Sequence, residues 1–236
     1  MTEAEWWGAT DSVALADWLF FDVWVADRKL RLFCVACCRW TEGKTRDVFR
    51  ELLDTIEWFA EGEASEEELE AALRPAAEIE AKELHTLVWS KQAQSERAIT
   101  SAAFTPTRAE ALFGPGWRER SWYQDGQPYP VSVVYLSRCP FGHERATREC
   151  QVVRLLHDTF GPLLFRPAFC SPAWRTDAAL ALARQMYESR EFGAMPILAD
   201  ALQDAGCDND DILNHCRSEG SHVRGCWVVD LVLGKE

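Results

Sequence analysis

Apolar residues recur every three to four positions along most of this chain, in segments that open on helix-capping residues and close on glycine or proline. That spacing paints one face of an α-helix, so the chain is restricted to packing helix against helix. Asp11 can cap a helix reaching about Val25, with Val13, Leu15, Leu19 and Val23 among its apolar positions. Asp27 can cap "RKLRLFCVACCRW", although Arg28, Lys29 and Arg31 near its start oppose the helix dipole. A third helix is predicted over 44–61. Ser65 followed by Glu68 forms a capping box before "EEELEAAL", and Pro75 suits the first turn of a new helix reaching about Ala103.

Residues 104–142 break this pattern. They hold Pro106, Pro115, Pro128, Pro130 and Pro140, with glycines at 114, 116, 126 and 142, a density that marks loops. "VSVVYLS" at 131–137 is β-branched enough for one short strand. Helix resumes over 144–160 and stops at Gly161-Pro162. "LLFRPAFCSPAW" is expected to be ordered but extended. Thr176 or Asp177 can cap the next helix, Pro196 can open another that ends at Gly206, and Asp208 or Asn209 can cap "DDILNHCR". A final helix is expected from about His222 to Leu233. The predicted fold is mainly α, bundle-like, with helical parts at 1–103 and 143–236 around the loop-rich 104–142, all within one compact domain.

Composition excludes several function classes. The net charge of −13 disfavours nonspecific nucleic-acid binding, which needs clustered Lys and Arg. No apolar run approaches the roughly 18 residues of a bilayer span, and the acidic start "MTEAEWW" is unlike a signal peptide. A cytoplasmic protein with reduced cysteines is expected, and the odd total of nine cysteines fits that. Residues 61–83 carry nine Glu against Arg74 and Lys82, a solvated helix face or a patch for a basic partner.

Five stretches also carry a resemblance. "FGPLLFRPAFCSPAWRT", "MPILADALQDAGCDNDDILNHCR" and "HVRGCWVVDLVLGKE" resemble the C-terminal part of an uncharacterised protein family of planctomycetes such as Gemmata. "MTEAEWW" and "DRKLRLFCVACCRW" look like its N-terminal part. The resemblance implies a bacterial cytoplasmic protein with a helical fold, and it transfers no catalytic residue.

Candidate chemistry concentrates near the C-terminus. His215, Cys216, His222 and Cys226 are four zinc-type donors within twelve residues. His222 and Cys226 would share a face of the final helix at i and i+4. Cys34 and Cys37 offer a further half-site, but with Cys38 they follow the i, i+3, i+4 pattern of a helix core. Cys139 and His143 in "CPFGH" form an isolated knuckle-like pair.

Cysteine catalysis is disfavoured, because adjacent residues such as His215 and Cys216 point about 100° apart on a helix. Asp208, Asp210 and Asp211 lack calcium-loop spacing and read as caps. No phosphate-binding glycine motif is present. Asp17, Asp200 and Asp230 lie among apolar neighbours and are expected to be partly buried, with Arg217 or Arg224 pairing Asp200 or Asp230.

The leading expectation is a noncatalytic helical module with a protein partner and no cofactor. It would bind through Trp117, Trp122 and Tyr123, with Glu66, Glu67 and Glu70 as a second surface. A small zinc protein is the alternative. An enzyme would require a polar pocket where Asp, His and Arg converge.

Overall fold

The computed structural model describes residues 1–23, 25–39, 45–80, 82, 91–103 and 144–235. These residues are mainly helical, with eleven α-helices, two short 3-10 turns and no strand among them. No described helix is long and apolar enough to cross a membrane. Trp117, Trp122, Tyr123, Cys139, His143 and the candidate strand at 131–137 lie outside the described residues.

The chain divides into two units. The first spans Gly8–Val153 and the second joins Thr2–Trp7 to Arg154–Glu236.

The first unit is built from α2 (Ser12–Asp22), α3 (Asp27–Arg39), α4 (Asp47–Ala60), α5 (Glu66–Ile79) and α6 (Lys91–Ala102), with the start of α7 (Glu144–Phe160). Asp11 caps α2 by accepting from the N–H groups of Val13 and Ala14 at 2.9 and 3.2 Å. Ser65 and Glu68 close both arms of the predicted capping box at the start of α5. α3 is central, packing on both α4 and α6, and it buries every residue from Lys29 to Cys38. Cys34, Cys37 and Cys38 are therefore core side chains. Burial pushes the Cys34 thiol up to about 12 against the lowering effect of Arg31, and pushes Cys37 well above its usual value. Such thiols stay protonated and unreactive.

Cations are accommodated by pairing. Arg31 donates to the Ala103 carbonyl at 2.8 Å, and Arg39 reaches Asp54 and Glu57 at 2.7 and 2.5 Å. Arg46 forks onto Glu96 at 3.0 and 2.6 Å.

Pro75 does not open a helix; it lies inside α5. Proline forfeits one ladder bond and crowds the preceding turn. Here the capping box satisfies the N-terminal backbone groups, and Leu69 and Ala76 bury the helix's inner face.

The second unit contains α1 (Glu3–Gly8) up to Trp7, the end of α7, and α8 (Asp177–Ser189), α9 (Met195–Asp204), α10 (Asp210–Arg217) and α11 (Trp227–Leu233). α8 packs on α9 and α11, and α9 pairs with α10. Their shared core holds Met186, Leu198, Leu202, Ile212, Trp227 and Val229. Thr176 caps α8 and Asn209 caps α10, as their side chains suggest. "LLFRPAFCSPAW" is partly extended, but it includes turns at 163–165 and a 3-10 turn at Pro172–Trp174.

The last helix differs from expectation. It begins at Trp227, with Cys226 as N-cap, and His222 lies in a preceding loop. Gly225 explains the difference. Its φ of +90° belongs to a tight turn closed by the Cys226 N–H on the Val223 carbonyl at 2.9 Å. A side chain at that position would be strained, and a helix could not run through it.

Candidate metal centre

Four donors from three segments meet in the second unit. Asp158 comes from the last turn of α7, His215 from the last turn of α10, His222 from the loop after it, and Cys226 from the N-cap of α11. One donor atom from each lies within 4.8 Å of all the others. Oδ1 of Asp158 is 2.6 Å from Nδ1 of His222 and 3.0 Å from Nε2 of His215. Sγ of Cys226 is 3.2 Å from that same Nε2 and 3.9 Å from Nδ1 of His222. A tetrahedral zinc ion with bonds of about 2.0–2.3 Å separates its ligand atoms by roughly 3.3–3.8 Å. The separations found, from 2.6 Å to at most 4.8 Å, come within about an ångström of that tetrahedral spacing.

The Gly225 turn supplies much of this geometry. It folds "HVRGC" back so that His222 and Cys226 face one point, which is how a knuckle presents two ligands. Oδ2 of Asp158 accepts from the Val223 N–H at 3.0 Å, locking the loop and orienting Oδ1 inward. The imidazole rings are also wedged. His215 lies edge-on to His222 at 4.9 Å and against Trp227 at 5.1 Å between ring centroids. Nε2 of His222 is buried and has no hydrogen-bond partner among the described residues.

The electrostatics are sharply set. Burial pushes the Asp158 carboxyl up, but hydrogen bonds from His215 and His222 and the charges on those rings outweigh it, leaving it at about 2. Asp158 is thus an anion in a nearly dry site, 4% exposed. Burial and the Asp158 charge push the Cys226 thiol well above its usual value, against the lowering pull of the Val229 and Val228 N–H groups. Without an added positive charge this thiol keeps its proton. A divalent ion reverses that balance, because it stabilises the thiolate directly.

Two arrangements of Cys, His and Asp must be distinguished. A nucleophilic triad places the thiol on one imidazole nitrogen and the acid on the other. Here the carboxylate oxygen and the sulfur both lie against Nε2 of His215. Groups converging on one point could hold an ion, whereas a relay would need them in line.

Of the candidates named from the sequence, His215, His222 and Cys226 come together, although not by sharing a helix face. Cys216 does not join them. It is fully buried in the apolar core beside Ile212 and Leu213, where burial, then the neighbouring Cys207 and Asp158 charges, push its thiol up to about 12. Cys34 and Cys37 belong to the core of the first unit and take no part in the group.

Asp158 was not singled out by the sequence, yet it bore the signal applied to other acids. It is a carboxylate in a helix among the buried Leu155, Leu156, Thr159 and Phe160. Asp200, by contrast, proves exposed; its pairing with Arg217 at 3.0 Å forms as expected, but at the surface. Asp230 is buried, and Arg224 donates to the Tyr187 carbonyl at 2.6 Å and stacks over that ring. Glu66, Glu67 and Glu70 are exposed on α5.

A cavity of about 430 Å3 opens against the cluster. Asp158, His215 and His222 form part of its wall, with Arg154, Trp7 and Glu219 around them. His157 lines it too, held by its Nε2 at 3.1 Å from the Trp6 carbonyl; burial lowers its pKa more than that carbonyl raises it. No family model, curated protein or solved structure matches the chain.

Proposed function

We propose that this chain is a zinc-binding helical protein whose ion is held by Asp158, His215, His222 and Cys226. The observation that carries the reading is the convergence of a carboxylate oxygen and a sulfur on the same nitrogen of His215. The mix of sulfur, two imidazoles and one carboxylate favours zinc over calcium or magnesium, which take oxygen cages. The ion would tie the end of α7 to α10 and to the loop before α11, so that binding energy becomes folding energy for the second unit.

Metal analysis of purified protein tests this. About one equivalent of zinc is expected, and less than roughly a tenth of an equivalent after zinc exposure would end the reading. Asp158→Asn and Cys226→Ser should each weaken binding by more than about 100-fold, because even outer-shell partners are worth roughly 10–100-fold.

An interaction role is a second reading, supported by the exposure of Glu66, Glu67 and Glu70 along α5 while Leu69 of the same helix is buried. Such a face suits a basic partner. It predicts salt-dependent binding of an oligolysine peptide that the triple Glu→Lys variant abolishes; binding unaffected by that variant removes it.

A further inference from the structure

The cavity wall contains three of the four metal donors but not Cys226. An ion in the cage would therefore meet the thiolate on its buried side and the cavity on the other. Four protein donors complete a tetrahedron, so an outside donor would enter from the cavity as a fifth ligand, a coordination number that zinc also adopts.

Charge selects the donor. A divalent ion is neutralised by the Asp158 carboxylate and the Cys226 thiolate. Arg154 adds one positive charge to the same wall; it is exposed, and its guanidinium has no partner among the described residues. Asp211, also on the wall, is occupied by Arg166 at 2.5 Å. Glu219 is exposed on the wall and opposes a second negative charge. Arg154 and Glu219 offset each other, so the wall holds no excess positive charge for a phosphate dianion, and a monoanion is held by direct contact with the ion and Arg154. Arg154 can meet a carboxylate with both arms of its planar fork. Trp7 supplies an aromatic surface: it is 43% exposed, and its ring rests on His157 at 4.7 Å between centroids.

We infer that this cavity binds a small monocarboxylate, whose carboxylate meets the ion and Arg154 and whose apolar body lies over Trp7. The inference rests on the metal reading above. Cobalt(II) in place of zinc provides a test that separates the two. Cobalt uptake with a thiolate-to-cobalt charge-transfer band, lost in Cys226→Ser, reports the cage. Benzoate titrated into the cobalt protein should then shift the ligand-field bands saturably, and inorganic phosphate at equal ionic strength should do so far less. Arg154→Gln should weaken benzoate about tenfold, the loss of one charge-assisted contact, while cobalt uptake and the charge-transfer band stay unchanged. Trp7→Ala should weaken benzoate but not acetate. Cobalt bound with a spectrum indifferent to benzoate overturns the inference and leaves the metal reading standing. Equal affinity in Arg154→Gln, or phosphate as strong as benzoate, also overturns it. Absence of cobalt uptake removes the metal reading and this inference together.

Discussion

Gly161→Ala is expected to damage the second unit through one ring. Gly161 ends α7 with φ of +51°, and a Cβ added there would lie 2.5, 2.6 and 2.7 Å from three atoms of the Trp227 indole. Two costs arise. The left-handed backbone costs a non-glycine residue about 1–2 kcal/mol. Displacing a fully buried ring adds the overpacking cost, about 1–3 kcal/mol, since Trp227 is 1% exposed and its neighbours are core side chains.

The two can be separated within the same unit. Gly206 has φ of +89° and nothing within 4 Å of its added Cβ, so Gly206→Ala reports the backbone cost alone. Urea unfolding followed by circular dichroism should show Gly161→Ala less stable than Gly206→Ala by about 1–3 kcal/mol. Trp227 also braces His215, so Gly161→Ala should weaken zinc binding while Gly206→Ala should not. Equal destabilisation by the two substitutions would refute the close packing of Gly161 on Trp227. Equal zinc affinity in wild type and Gly161→Ala would refute the bracing of His215 by that ring.

Two further outcomes are expected. On the zinc reading, Cys216→Ala should bind zinc as wild type does and lose about 1 kcal/mol from a small core void, and a loss of zinc affinity matching that of Cys226→Ser would place Cys216 in the site after all. In the first unit, burial raises the Glu96 carboxyl, but hydrogen bonds from Arg46 and Gln92 outweigh it and hold it below its usual value. A carboxyl depressed in the folded state stabilises fully above its unfolded pKa of about 4.3, and that stability is lost as pH falls through the lower folded value. Glu96→Gln should therefore flatten the loss of stability between about pH 5 and pH 3, and an unchanged slope would remove Glu96 as its source.

Helix starts were readable because a cap is local chemistry. Asp11, Ser65 with Glu68, Thr176 and Asn209 each satisfy N–H groups two or three residues away, and each caps as written. The buried thiols of α3 were readable too, since their i, i+3, i+4 spacing is a face that must turn inward. Pro75 misled because burial of Leu69 and Ala76 outweighs one missing hydrogen bond. The apolar period of the final helix continues upstream, but the positive φ of Gly225 stops that helix at Cys226.

The sequence by itself determined that this chain packs helices, where most of them begin, and that its zinc-type donors cluster between 215 and 226. Each follows from interactions within one or two helical turns. Only the tertiary structure decided which donors meet. Asp158 is 57 residues from His215, so no periodicity links them; the packing that brings the end of α7 against the loop before α11 does. The same packing turned Cys216 inward to the core and Cys226 toward the histidines, a distinction set by the surroundings of two otherwise identical thiols.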